Sequence, residues 1–391
     1  MAKKLSSAVG VDIGCQSIKV AEIKLMGGQP TVTALAQAMT PEGAVDHVGI
    51  HDMEAVGSVL KDLCNTAGTS VGDVVVSVAG QGSVLVRTLE VPNMSDSELE
   101  QHMEWEITRN IPFGEKTVQS DFKAFPPADA ASQSMDVVMA ISPQSAIEGI
   151  VGMVRRAGRK VAAVDVEPLG IARTLKLGYD SELHDKTVCV VDIGHKTTSI
   201  NIYRNGQLLM PRLVPLGGEM FTRNIASSMG VPFDQAESMK ADKAEIPAGA
   251  TTAAAPVDAG TQAFVPYNPF GDSTEEEASS APIPAEQAPG ANNPIFNAMA
   301  PVLDELAAEV RRSIDYFRSK GGDVNIVLLA GGGSKLKGLG GFIEGAVGVR
   351  TKLYEPLRGL GQNIKAPSGS VDSGHMEEFA VAVGNGLHVC F

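Results

Sequence analysis

The chain has 391 residues and carries 46 Asp plus Glu against 32 Lys plus Arg, a formal charge of −14. Such a balance excludes a sequence-independent grip on nucleic acid, so any bound phosphate must be held locally. A hydrophobic content of 43% suits folded domains, two or three of them at roughly 100–200 residues each. No apolar run approaches the ~20 residues that span a bilayer, and Met1-Ala-Lys-Lys4 lacks the apolar centre of a signal peptide. A cytoplasmic protein with no direct membrane insertion is therefore expected. Cys15, Cys64, Cys189 and Cys390 show no C-x-x-C spacing, which argues against a zinc site or a disulfide framework.

The first predicted element, Val9 to Val20, reads as a buried strand, a turn permitted by Gly14 and a second strand. Asp12 ends the first strand, and a charge carried into a dry interior is costly unless paired. Strand Thr31–Ala38, helix Asp52–Ala67 and the apolar strand Asp73–Ala79 follow, the alternation of a mixed sheet covered by helices. Strand Ser83–Val91 leads to a capping box at Ser95 and Glu98, which opens a helix to about Asn110. Strands Thr117–Phe122 and Asp136–Ser142, a helix Gln144–Ala157 and a strand Lys160–Val166 complete a small α/β unit. The basic run Arg155–Lys160 reads as a solvated helix end, or as a face for acidic lipid or a partner's acidic patch.

Glu167-Pro168 opens the next helix, and Val190 to Ile200 then repeats the first hairpin: Asp192 matches Asp12, Gly194 matches Gly14, Thr197 matches Ser17. A lone Asp-Gly turn is bland, whereas two in matching positions suggest a phosphate or metal site. Backbone N–H groups and hydroxyls of such turns can hold a phosphate chain and its Mg²⁺, and two facing hairpins would clamp one nucleotide. Lys19 follows the first turn, whereas Ser199 holds that place in the second. Asn205-Gly206 predicts a type I′ turn, Gln207–Val214 a return strand, and Gly217-Gly218 the start of a helix to Met229. A shorter helix covers Asp234–Lys240.

From about Lys243 to Asn293 the composition turns to Ala, Pro, Gly and Ser with acidic residues, the pattern of a disordered insertion. Within it, Phe264–Phe270 reads as either a linear docking motif or a transient surface contact. A helix over Pro301–Lys320 has an apolar stripe through Leu303, Leu306, Val310, Ile314 and Phe317. The strand Asn325–Leu329 runs into Ala330-Gly-Gly-Gly-Ser334, a candidate wall for a nucleoside, and Glu377–Leu387 is a final helix of small residues. The domain scheme is 1–82, 83–166, 167–242, the insertion over 243–296, and 297–391.

Two Asp-Gly hairpins, a Glu-Pro helix between them, a Gly-Gly-Glu helix and a late Gly-Gly-Gly-Ser loop, in that order, resemble the actin-like ATPase superfamily. Val91–Ser95, the Glu98–Phe113 helix ending Asn-Ile-Pro-Phe, Val164–Leu169 and Leu216–Thr222 resemble the PilM family of type IV pilus assembly, itself similar to the FtsA cell-division family. The resemblance covers nearly the whole chain outside the insertion. It implies an α/β actin-like fold of two lobes, with 83–166 as the extra subdomain of this branch, and ATP with Mg²⁺ as cofactors. Asp12, Gly14, Cys15, Gln16, Ser17 and Lys19 would form the first phosphate loop; Asp192, Gly194, His195, Thr197 and Thr198 the second. Asp12 and Asp192 would hold the metal and share catalysis with Glu167, which matches the residue that positions the attacking water. Gly217, Gly218, Glu219 and Lys240 would lie by the ribose and adenine, and Gly332, Gly333 and Ser334 in the adenosine loop. His195 departs from the small or acidic residue expected in its turn.

The implied partners are the N-terminal tail of a PilN-like inner-membrane protein and other components of the pilus machine, with self-association also open. Strands Thr117–Phe122 and Asp136–Ser142 are candidate edges for that tail, and Ile111, Pro112 and Phe113 candidate pocket residues or simply core and helix stop. A filament-forming protein like FtsA and a small-molecule kinase of the same superfamily stand as alternatives.

Overall fold

A computed structural model describes residues 5–115, 117–125, 133–250, 293–364 and 376–391. β1 (Ser7–Ile13), β2 (Ser17–Met26) and β3 (Gln29–Met39) form an antiparallel meander, and α1 (Met53–Thr66) crosses to β4 (Asp73–Val78), parallel to β1. A separate antiparallel sheet of β5 (Leu85–Pro92), β6 (Val118–Phe125) and β7 (Ser134–Pro143) carries α2 (Asp96–Arg109). α3 (Gln144–Arg156) then leads to β8 (Lys160–Val166), parallel beside β4.

α4 (Glu167–Gly178) and the single turn α5 (Asp180–Leu183) connect to a second sheet. There β9 (Thr187–Ile193), β10 (Thr198–Arg204), β11 (Gln207–Met210) and β12 (Leu213–Val214) precede α6 (Gly218–Met229), α7 (Phe233–Lys243) and α8 (Pro294–Ser319). β13 (Ile326–Ala330), α9 (Leu339–Val347) and β14 (Thr351–Leu353) complete it; β15 (Gly361–Gln362) returns to β3, and α10 (Ala380–Gly386) lies near the end. The strand orders β15-β3-β2-β1-β4-β8 and β11-β10-β9-β13-β14 are one topology built twice.

The inner strands are runs of Val, Ile and Leu because both faces of each sheet are covered. In the first lobe Val9, Val11, Val74 and Val76 face α1 and α3, while Ala8, Ala21 and Val75 face α10. In the second, Val191, Val327 and Leu329 meet Leu303 and Leu306 of α8, and Val190 and Leu328 meet Ile171 and Leu175 of α4. The lobes join where α4 and α10 cross backbone to backbone. A Cβ on Gly384 would lie 2.1 Å from the Gly170 carbonyl, and one on Gly10 would lie 1.9 Å from that of Ala382.

The local chemistry read from the sequence is present: Glu98 accepts the Ser95 N–H at 2.9 Å, and Asn205 and Gly206 take φ of 52° and 77°; the structure adds an N-cap at Asp52 on α1. Several expectations are corrected. The return strand Gln207–Val214 is two strands, because Pro211 has no N–H to give and Arg212 is drawn to Ser313 on α8 at 2.8 Å. α8 starts at Pro294 rather than Pro301, with Asn293 capping the Phe296 N–H at 3.0 Å; Pro301 is carried inside the helix. The insertion is correspondingly shorter than 243–296, since Ala244, Ile246, Ile295 and Phe296 are buried in the second-lobe core. Residues 251–292, with the Phe264–Phe270 motif, lie outside the described residues. Asp136–Ser142 is not an edge: β7 runs between β5 and β6, with Val137, Val138 and Met139 buried, and β6 is the open edge on that side. The Gly-rich α9 and the short β14 and β15 carry too weak a periodicity to be anticipated.

Candidate functional site

The two hairpins are built alike. Asp12 pairs in register with Lys19 and Asp192 with Ser199, and each turn closes through the same bond, Gly14 N–H to the Ser17 carbonyl at 3.1 Å and Gly194 N–H to that of Thr197 at 2.9 Å. Between them lies a cleft of about 830 Å³. Asp12, Gly14, Cys15, Gln16, Ser17 and Lys19 line its first-lobe side, Asp192, Gly194, His195, Thr197, Gly218, Lys240, Gly332 and Gly333 its second-lobe side, and Glu167 its floor. Glu167 reaches the floor because it opens α4 directly after β8.

The floor is short of positive charge. Lys19 Nζ stands 3.3 Å from Asp12 Oδ2. Burial alone would lower the Lys19 pKa, but Asp12, then Glu378 and Asp192, outweigh it and raise it. Glu167 is pushed up to about 8, by burial first and then by Asp12 and Asp192, with Lys19 opposing. Burial and then the Asp12 charge push Asp192 up to about 7. These carboxylates crowd one ammonium, and an added cation would relieve them. Among the described residues no three His, Cys, Asp or Glu side chains converge to hold a metal by themselves. Two aspartates with phosphate and water oxygens are instead a donor set of the kind Mg²⁺ uses, so the residues present fit Mg²⁺ bound together with a nucleotide.

Not every expected residue meets the cleft. The Thr198 and Ser334 hydroxyls are buried and donate to the Leu216 and Gly331 carbonyls, each at 2.7 Å. Gly217 lies behind the second turn, where a Cβ would be 2.4 Å from the His195 carbonyl. That approach lets the Gly218 and Glu219 N–H groups donate to the Gly194 and His195 carbonyls at 2.9 and 2.8 Å. The start of α6 therefore supports the hairpin from behind, with Gly218 alone of Gly217, Gly218 and Glu219 lining the cleft. Glu219 pairs with Arg223 at 2.8 Å, and the Lys240 ammonium donates to Gly218 O, Thr222 Oγ1 and Glu237 Oε2. Gly332 to Lys335 form one 3₁₀ turn rather than an open loop. Gly331 is the demanding glycine there: its φ is 78°, and a Cβ would lie 2.3 Å from Asp192 Oδ1.

His195 lines the cleft with its Nδ1 buried and without a hydrogen-bond partner among the described residues. Burial, reinforced by Lys240 and Lys196, lowers its pKa against the pull of Glu219 and Glu237. The sequence reading missed Lys335, Lys337 and Glu378 and, within the second phosphate loop Asp192–Thr198, did not single out Lys196; all four line the cleft. Lys196 was findable as the counterpart of Gln16 in the repeated turn. Glu378, 2.8 Å from Lys335, reaches the cleft from beyond β15, and no local pattern announces it.

Twin meander-and-parallel sheets facing each other across paired Asp-Gly hairpins define the actin-like ATPase fold. The family described as type IV pilus assembly protein PilM matches residues 10–253, and the chain belongs to that family. Cell division protein FtsA matches residues 189–384. A solved PilM-PilN type IV pilus biogenesis complex is similar with a TM-score of 0.77 at 26% identity, over 100% of both chains. Ethanolamine utilization protein EutJ from Carboxydothermus hydrogenoformans reaches 0.53 at 15% identity, over 99% of this chain and 92% of that one. FtsA of Neisseria meningitidis is 24% identical over 48% of this chain and 49% of its own, so the chain spans about half the length of that relative. FtsA of Streptococcus pneumoniae is 23% identical over 89% and 75%.

Proposed function

We propose that the protein is an ATP-binding, actin-like scaffold on the cytoplasmic side of a type IV pilus inner-membrane machine. The observation that carries the nucleotide reading is the pair of hairpins meeting at one cleft whose floor crowds Asp12, Asp192 and Glu167 around Lys19. The first turn and Lys19 would hold phosphate, the two aspartates Mg²⁺, and Gly332 and Gly333 would border the nucleoside. Bound Mg-ATP would supply the cation that the floor lacks. Glu167 would orient a water and accept its proton, with any turnover slow. Isothermal titration with Mg-ATP tests this: Asp12→Ala and Lys19→Ala abolish binding, and unchanged affinity in both removes the assignment. Glu167→Ala keeps binding and loses turnover by ~10²–10³, the scale for removing a group that acts on the transition state.

The partner reading is recruitment by the tail of a PilN-like membrane protein. It draws support from the family and from the similarity to a PilM-PilN complex. Among the described residues no helix is long and apolar enough to cross a membrane. The open edge of β6, with Gln119, Ser120 and Asp121 exposed, offers main-chain hydrogen bonds to an extended tail. Ile111 and Phe113 pack with Val118 and Phe122 on the small-sheet core beside it. A second reading, FtsA-like filament formation, draws on the match over 189–384; ATP-dependent light scattering of the protein alone would favour it over a scaffold that needs partners.

A further inference from the structure

We propose that Lys196, in the turn of the second hairpin, is the second cation that takes up the charge of the nucleotide's phosphates and favours the triphosphate over the diphosphate; this rests on reading the cleft as the ATP site. Among the described residues five lysines line the cleft: Lys19, Lys196, Lys240, Lys335 and Lys337. Three are engaged already. Lys19 pairs with Asp12, Lys335 with Glu378, and Lys240 donates to three acceptors of α6 and α7. Among the described residues Lys196 and Lys337 have neither a side-chain hydrogen bond nor an ion pair.

Position separates these two. Lys337 lies beyond the glycine turn, where its carbonyl accepts the Ile246 N–H at 2.9 Å. Lys196 occupies the turn place that Gln16 holds in the first hairpin. Burial pushes the Cys15 thiol up to about 11, and the Lys196 charge is the main influence opposing it, so the ammonium acts on the facing first-lobe turn. Burial lowers the pKa of His195 beside it, and Lys196 is the lysine of this turn. Coulomb attraction grows with the charge on the anion, so an unpaired ammonium here gains more from ATP than from ADP.

The test is isothermal titration of the full chain with Mg-ATP and Mg-ADP, comparing the parent with Lys196→Gln, Lys196→Arg and Lys61→Gln, an equal charge change on exposed α1. Losing a charge-assisted contact weakens ATP binding by about tenfold or more. ADP loses less, Lys196→Arg restores most of the affinity, and Lys61→Gln stays within about twofold of the parent. Three results overturn the inference while leaving the ATP site standing: a parent that binds ATP and a Lys196→Gln protein that matches it, equal losses for ATP and ADP, or no rescue by arginine. A parent that binds neither nucleotide overturns the ATP-site reading itself, and this inference with it.

Discussion

Glu167 shows how one residue ties the cleft to stability. Its carboxyl is raised to about 8 from an ordinary 4.5, through burial and then the charges of Asp12 and Asp192. Between those two values the folded chain binds more protons than the unfolded one, so stability falls as pH rises through the window. Glu167→Gln removes that dependence. The nucleotide-free variant should exceed the parent's Tm at pH 8 by a few degrees, at about 2–4 °C per kcal/mol for a domain of this size, and by much less at pH 5. Thermal melts at the two pH values check it, and an equal difference at both would take the ionised carboxylate out of the explanation. The Lys19 pKa is raised as well, because Asp12, Glu378 and Asp192 outweigh its burial, but there it is the ionised form that the floor favours.

At the scale of the elements, α10 is closely confined. It lies against β1 and α4, touching β1 through Gly10 and α4 through Gly384, and in both places a methyl group would overlap backbone atoms. Backbone cannot rotate away as a side chain can. Gly10→Ala should therefore destabilise by about 3 kcal/mol or more, at or beyond the upper end of ordinary overpacking. Gly152 gives the contrast within α3: a Cβ there meets nothing within 4 Å. Gly152→Ala should stabilise by about 0.5–1 kcal/mol through helix propensity. Denaturant unfolding of both variants checks the pair, and similar effects of the two would show that the crossing tolerates separation.

Across the whole molecule, nucleotide and partner would meet through the first lobe, since the sheet that carries Asp12 and Lys19 also supports the β5–β7 unit through α3 and β8. A labelled PilN-like tail should bind the intact protein, and hydrogen exchange should slow at the amides of Val118–Phe125. Protection elsewhere, with β6 unchanged, would move the site. If the cleft and the β6 edge are coupled, Mg-ATP and the tail shift each other's affinity by one common factor. Fluorescence anisotropy of the tail with and without Mg-ATP measures that factor, and a value of one removes the coupling.

The amino-acid order alone makes the hairpin at Asp12 and its repeat at Asp192 legible, down to the absence of a lysine at Ser199. It does so because a buried strand, a glycine turn and a β-branched strand are each specified by nearest-neighbour sterics and a period of two. The capping box at Ser95 and the turn at Asn205-Gly206 are legible for the same reason, and the order of the hairpins, helices and glycine loop carries the family resemblance. What a polar group does once folded is set by whatever packs against it from distant parts of the chain. Thr198 and Ser334 look like ligand hydroxyls and turn to carbonyls inside. Lys240 looks like a nucleoside contact and is held by α6 and α7, while Lys196, unremarked in the sequence, keeps its charge unpaired. β7, a candidate edge in the sequence, lies in the middle with β5 and β6 on either side, and its run Val137, Val138 and Met139 is buried. Glu378 enters the cleft only because α10 threads back between the lobes, a placement made by the meeting of Gly10, Gly170 and Gly384 rather than by any pattern around residue 378.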